Sequence, residues 1–342
     1  MSAETDLAAQ ASTTSRSILR LLKDPLIWLI VMAFIVGIIT SPYFLTPLNL
    51  ANTIRNSAAI GLLSLGMTMV LLTGRIDLSV AATMVFSVIV GVAITTQIGA
   101  VLDERWIVRG NSFVGPPVLA IVITLLTGIG VGILNGIGVA YLKVASFIMT
   151  LVMLTALRGL SYIFTNGAPF YLKGATFDWI GDTVYLGMPT GFLIFLAALT
   201  VMLLLLKGTV AGSRFYAIGG NEIAAMYAGI KTARYVVAAF AISGGCAALA
   251  GIVLTARLKS VEAPLGGGYE LTAIAIAVIG GVSLAGGIGS PWRTFLATVL
   301  FALGLNLFGL WGVSTSYQNL IIGLVLIVAV GISSIQQRMK QE

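Results

Sequence analysis

NTIRNSAAIGLLSLGMTMVLLT occupies residues 52–73, and its one formal charge, Arg55, stands near the start. About 20 apolar residues in helical form cross the hydrocarbon core of a bilayer, so this stretch is long enough to span one. Similar apolar segments recur on both sides of it, at roughly 26–42, 78–98, 116–140, 146–166, 189–206, 235–256, 271–288, 293–311 and 317–335. The second and third are joined tightly through Thr73-Gly74-Arg75, and glycines interrupt the eighth, so the count lies between eight and ten. The expected fold is an all-α integral membrane protein of about ten transmembrane helices. Residues 1–25 form an N-terminal tail, 26–335 the membrane domain and 336–342 a C-terminal tail.

Composition agrees. The chain has 342 residues, 58% of them hydrophobic and 9% charged, against about 25% charged in a typical soluble domain. Water cannot be the solvent for that much apolar surface; lipid can. Forty glycines fit the same solvent, because small residues let membrane helices approach closely. Gly128, Gly132 and Gly136 follow small-xxx-small spacing in the fourth span, and Gly244/Ala248 and Ala247/Gly251 repeat it in the seventh. These are helix-packing faces first, although a dimer seam would use the same pattern.

The net charge of +7 does not point to nucleic acid, because the cations are scattered over many short loops. Loops enriched in Lys and Arg on the cytoplasmic side account for it. With ten spans, Arg16, Arg20, Lys23, Arg75, Lys143, Lys207, Arg214, Lys231, Arg234, Arg293, Arg338 and Lys340 share one side. Arg55, Arg105, Arg109, Lys173, Arg257 and Lys259 take the other, and Arg158 is left inside the fifth span. That bias places both termini in the cytoplasm. No small-residue cleavage site follows residues 1–24, so an uncleaved start is expected. Residues 15–23 alternate apolar and basic side chains and could lie flat on the inner leaflet.

Several chemistries are excluded. The chain has no histidine and one cysteine, Cys246, so zinc, copper and haem ligands are nearly absent and Ser-His or Cys-His nucleophiles cannot form. No lysine follows a glycine, so there is no P-loop. The longest polar intervals, 99–115, 167–188 and 207–234, are too short for a catalytic domain of at least about 50 residues. The expectation is a non-enzyme that binds no cofactor. If ATP drives it, ATP and magnesium sit on another chain.

Residues 217–230, AIGGNEIAAMYAGI, lie in the longest inward-facing loop. Gly219-Gly220 reads as a turn and Asn221 as a helix N-cap, with Glu222 at the positive end of the helix dipole. A short apolar helix then ends at Gly229. On the water side it either rests on the membrane surface or docks as a knob into a groove on a cytoplasmic partner.

At this segment the chain resembles the permease subunits of ATP-binding-cassette importers for ribose, arabinose, galactose and related monosaccharides. Their corresponding loop is similar to AIGGNEEAARLAGI. Residues 73–81, TGRIDLSVA, and 268–290, GYELTAIAIAVIGGVSLAGGIGS, are similar to two further motifs of that family, with Arg75 and Thr272 as departures. The resemblance runs from about residue 48 to 335. It implies that Gly219, Gly220, Asn221, Glu222, Ala224, Ala225, Gly229 and Ile230 seat a coupling helix on a cytoplasmic ATPase subunit. It also implies a periplasmic or extracellular sugar-binding protein, a second permease copy, and a place in the bacterial inner membrane.

Ionisable groups inside a membrane are functional candidates by default. Asp77 either caps the third helix and pairs with Arg75 or takes part in gating. Arg158 faces a partner or snorkels outward. The candidates for gating or the translocation path are Arg75, Asp77, Asn135, Arg158, Glu270 and Asn306, and polar side chains within spans add Asn56, Thr68, Thr150, Asn166 and Gln318. The leading reading is a binding-protein-dependent importer permease for a monosaccharide or small polyol. The alternative is a secondary transporter or channel working alone, which the absence of histidine disfavours.

Overall fold

Prolines set the start of several long helices. Proline fits the first helical turn, where its missing N–H is not needed. It opens α1 (Pro25–Thr40), α2 (Pro47–Leu72), α4 (Pro117–Ala140) and α12 (Pro291–Leu310). Asp24 caps α1 by accepting from the Leu26 N–H at 3.1 Å, and Thr46 caps α2 by accepting from Asn49. The computed structural model describes residues 24–102, 112–113, 116–172, 175–185, 187–318, 320–324, 327 and 331. The other helices are α3 (Val80–Leu102), α5 (Ser146–Thr165), α6 (Ala175–Asp182), α7 (Thr190–Gly208), α8 (Val210–Gly220), α9 (Glu222–Tyr227), α10 (Thr232–Leu258) and α11 (Tyr269–Ile279).

Among the described residues, seven helices are long and apolar enough to cross a membrane: α2, α3, α4, α5, α7, α10 and α12. Helix α1 is a shorter apolar helix. The chain is a multi-pass membrane protein of the all-α class. The tenth predicted segment, 317–335, falls largely outside the described residues, as do residues 15–23 and the tails beyond them.

The eighth predicted span, 271–288, is corrected. Helix α11 has only 11 residues, too few to cross a bilayer alone. It is stopped by a Schellman motif, in which the Val282 N–H bonds the Ala277 carbonyl and the Gly281 N–H bonds that of Val278. Gly281 supplies the positive φ of 81° that this motif needs. The chain then continues as irregular backbone from 282 to 290 instead of as helix. The glycines at 280 and 281 mark the interruption in the sequence, but the residues after Gly281 remain largely apolar, so hydropathy extends the span past the stop.

Helix α2 lies at the centre. From Ser57 to Leu72 every residue is buried, the pattern of a helix enclosed on all sides. Its neighbours are α7, α10, α11 and α12. Helices α4 and α10 cross antiparallel at very short range. A Cβ on Gly128 would meet the Gly244 carbonyl and Ala248, one on Gly132 the Phe240 carbonyl, and one on Gly136 the Val237 backbone. The α4 stripe and the Gly244/Ala248 pair therefore pack against each other within one chain, while Gly251 packs against Met84 and Val88 of α3. Gly132→Leu is expected to lower the thermal midpoint in detergent by several degrees, since overpacking costs about 1–3 kcal/mol. Gly130→Leu, where open space surrounds the glycine, is expected to leave that midpoint unchanged.

The interval 167–188 is more ordered than a plain loop. It holds β2 (Phe170–Leu172), which pairs with β1 (Ser112–Phe113) and β5 (Ser260–Val261). It also holds α6 and the small β3–β4 ribbon (Val184–Tyr185, Met188–Pro189). Lys259 ties α6 to the end of α10 through Asp178 at 2.6 Å and Asp182 at 2.9 Å. Burial pulls the Lys259 ammonium down, but the hydrogen bonds and charges of the two aspartates outweigh it and hold it above its ordinary value.

Candidate functional site

The three motifs converge at one end of the bundle. Helix α8, capped by Thr209 accepting from Gly212, runs on through Gly219 and Gly220. The turn expected at Gly219-Gly220 is corrected: both residues are helical, and the chain leaves the helix at Asn221, whose φ is −162°. The glycines serve close approach instead. A Cβ on Gly219 would strike the Leu72 carbonyl and the Gly287 N–H, and Gly287 sits against the Gly220 backbone. The Gly287 N–H donates to the Leu72 carbonyl at 3.0 Å, and the Tyr216 hydroxyl donates to the Gly289 carbonyl at 3.0 Å. Backbone from 72–74, 219–220 and 286–289 thus meets with little side chain between.

Asn221 then starts α9, its side chain accepting from the Ala224 N–H at 2.9 Å. Helix α9 ends in a second Schellman motif, with Ile230 N–H to the Ala225 carbonyl and Gly229 N–H to that of Met226. Ala225 faces inward and is buried. Ile223, Met226 and Tyr227 point away, 64%, 55% and 84% exposed. A short rigid helix therefore presents three large apolar side chains at the end of the bundle.

Arg75 supports it. Its guanidinium pairs with Glu222 at 2.8 Å and donates to the Thr73 carbonyl at 2.7 Å. Pairing of Arg75 with Asp77 is corrected on this point. Asp77 is 2% exposed and is bound by serines: its carboxylate accepts from the Ser79 N–H at 3.0 Å, the Ser79 hydroxyl at 2.7 Å and the Ser243 hydroxyl at 2.9 Å. Asn135 donates to the Ser79 hydroxyl at 2.8 Å, joining α4 to the knot. The Ser146 and Thr150 hydroxyls of α5 accept from the N–H groups of Ile76 and Leu78. The segment before α3 is thereby fastened to α4, α5 and α10. Between α9 and this segment lies a cavity of about 520 Å³ lined by Arg75, Lys143, Ser146, Asn221 and Glu222 among others.

Arg158 and Glu270 come together at 3.9 Å between α5 and the first turn of α11. Asn306 is elsewhere, in a reciprocal amide pair with Asn49 at 2.7 and 3.1 Å. That pair borders a cavity of about 860 Å³ at the opposite end of the bundle, lined also by Asn56 and Gln318. Thr68 bonds Thr294 inside the core, and Asn166 forms the left-handed C-cap of α5. Asn49, Thr53 and Tyr269 line the larger cavity without having been singled out from sequence. Their signal, polar or aromatic groups at helix ends, is common to many caps.

Among the described residues no cluster of His, Cys, Asp or Glu could hold a metal ion. The chain is thus a polytopic helix bundle with an apolar knob at one end and a small-molecule-sized cavity at the other. The chain matches, over residues 49–330, the family model described as the permease component of branched-chain amino acid transport systems, and it belongs to that family. It is 39% identical to the ribose import permease protein RbsC of Bacillus subtilis (strain 168), covering 90% of both chains. Identity to RbsC of Escherichia coli (strain K12) is 35%, over 91% of this chain and 93% of the relative. The L-arabinose ABC transporter permease protein AraH of Azospirillum brasilense is 32% identical over 88% of this chain and 85% of its own. No solved structure matches significantly.

Proposed function

We propose that the chain is the membrane-spanning permease subunit of an ATP-driven, binding-protein-dependent importer of a monosaccharide or small polyol. The observation that carries this reading is α9: three exposed apolar side chains on a helix pinned to the bundle by Ala225, the Asn221 cap and the Arg75–Glu222 pair. Such a knob suits helix-in-groove docking on a partner that supplies force. ATP and magnesium would reside on that cytoplasmic ATPase, and a periplasmic or extracellular binding protein would deliver solute to the far end. A second permease copy would complete the pathway. The relatives' names, ribose and L-arabinose, support a pentose-like solute.

Gly219, Gly220, Asn221, Glu222, Ala224, Ala225, Gly229 and Ile230 form the coupling segment of the 207–234 loop in this reading. Both termini and that loop face the cytoplasm of a bacterial inner membrane, and residues 26–335 make the membrane domain between two short tails. Arg75 and Glu222 would pass movement of α9 to the segment before α3, where Asp77 and Asn135 lie. Arg158 and Glu270 would bridge α5 to the half-length α11.

The test is reconstitution with the ATPase and binding protein, where sugar uptake should require all three and ATP. Uptake by the purified chain alone would instead make it a stand-alone carrier. Truncating a central apolar anchor of an interface commonly costs 2 kcal/mol or more. Tyr227→Ser is therefore expected to weaken ATPase copurification at least about tenfold while membrane insertion is retained.

A further inference from the structure

Asp77 is a buried carboxylate whose charge its hydrogen bonds do not neutralise. Its three donors, the Ser79 N–H and the Ser79 and Ser243 hydroxyls, are all neutral groups. Among the described residues no Lys or Arg lies within ion-pair range of it, and Arg75, two residues away, is taken by Glu222 and the Thr73 carbonyl. Burying an unpaired charge is costly, and proteins meet that cost by pairing the charge or by coordinating a metal.

Two neutral oxygens beside it also lack a partner. Ser79 has one hydroxyl hydrogen and gives it to Asp77, so Asn135 must turn its NH₂ towards Ser79. The carbonyl oxygen on the same amide is left without a donor, although Asn135 is 0% exposed. Thr83 stands one turn on from Ser79, on the same face of α3. It is buried as well, and its hydroxyl has no partner. A carboxylate offers about four lone-pair sites, and the three donors leave Asp77 with one unused.

The oxygens select the occupant. Zinc and copper favour nitrogen and sulfur ligands, and calcium takes about 6–8 oxygens, several of them usually from carboxylates. One carboxylate among amide and hydroxyl oxygens balances a single positive charge. Space is short, since a Cβ on Gly132 would strike the Phe240 carbonyl and one on Gly66 the Ser243 backbone. Close packing favours the smaller of the common monovalent cations. Membrane transporters bind such ions beside unwound backbone between helices, and Asp77 lies in the non-helical segment between α2 and α3. The cavity of about 520 Å³ reaches Thr73, Arg75 and Ser146, and Ser146 bonds the Ile76 N–H, so a path from water ends next to Asp77.

We propose that Asp77, Asn135, Thr83 and Ser243 form a sodium site. Asp77 supplies the charge, and the Asn135 carbonyl oxygen and the Thr83 and Ser243 hydroxyls supply the neutral ligands. The ion ties the start of α3 to α4 and α10, whatever solute the chain carries.

The test is the thermal midpoint of the full purified chain in detergent, in sodium, potassium or choline chloride at equal ionic strength. For a site half-filled near about 10 mM, sodium at about 200 mM should raise the native midpoint by about 3 °C over choline. Potassium should give less than half of that shift, and radioactive sodium should bind at one ion per chain. Asp77→Asn should melt at or above the native chain in choline and should not respond to sodium. Thr83→Val removes a hydroxyl that bonds nothing in the protein. It should fold as the native chain does in choline and need at least about tenfold more sodium for the same shift. No shift with sodium, an equal shift with potassium, a native response in Asp77→Asn, or native half-saturation in Thr83→Val would each overturn the site. Should Asp77→Asn fail to fold, Thr83→Val and the binding stoichiometry decide.

Discussion

Glu222→Lys is expected to reach the membrane in normal amount and to reduce ATP-driven uptake to below about 5% of the native rate. The Arg75–Glu222 pair joins α9 to the segment before α3 at 2.8 Å, and Arg75 is the more buried partner, 15% exposed against 39%. Losing an exposed pair costs little, typically about 0–1 kcal/mol. Reversal is different, because it leaves a half-buried guanidinium facing a second cation and drives α9 away from its seat. The bundle does not depend on that contact, since α2, α4 and α10 pack through apolar and glycine faces, so insertion should survive. The double variant R75E/E222K restores opposite charges across the same gap and should recover a measurable part of uptake. Native uptake by Glu222→Lys would remove the pair from the coupling path, and failure of the double variant would show that Arg75 acts through the Thr73 carbonyl instead.

What the sequence made legible was whatever depends on composition over a window. The all-α membrane class, seven of the predicted spans and the small-residue packing faces of α4 and α10 all rest on local pattern, and the structure bears them out. What it hid depends on partners far away in the chain. Arg75 stands two residues from Asp77, so a local pair was the natural reading, yet its carboxylate lies at position 222 and Asp77 finds serines at 79 and 243. Gly219-Gly220 looked like a turn because glycine usually marks one. Here the missing side chains instead admit the Leu72 carbonyl and Gly287 to a helix that does not bend. The stop of α11 at Gly280-Gly281 was visible as glycines, but nothing local distinguishes a broken span from a half-length helix. The cavity between α2, α10, α11 and α12 was legible only in part: Asn56, Asn306 and Gln318 stood out as polar residues within spans, but nothing local showed that they share one cavity with Asn49, Thr53 and Tyr269.

Asp77 gives the other large effect, and two substitutions separate the reasons for its presence. Asp77→Ala removes the acceptor for one N–H and two hydroxyls in a region with no access to water. An orphaned buried donor costs about 1–3 kcal/mol, so this variant should express poorly and lose most of its thermal stability in detergent. Asp77→Asn keeps the shape. Its side-chain oxygen can still accept both bonds from Ser79, and its NH₂ can donate to the Ser243 hydroxyl, which accepts as readily as it donates. It also removes a buried charge that has no cationic partner among the described residues. The Asn variant should therefore match or exceed native stability, because the role of residue 77 in the fold is to accept hydrogen bonds that hold the start of α3 against α10. If it folds well but does not transport, the negative charge itself is needed during the transport cycle. If it unfolds like the Ala variant, the charge is structural and the serine hydroxyls alone do not account for the knot.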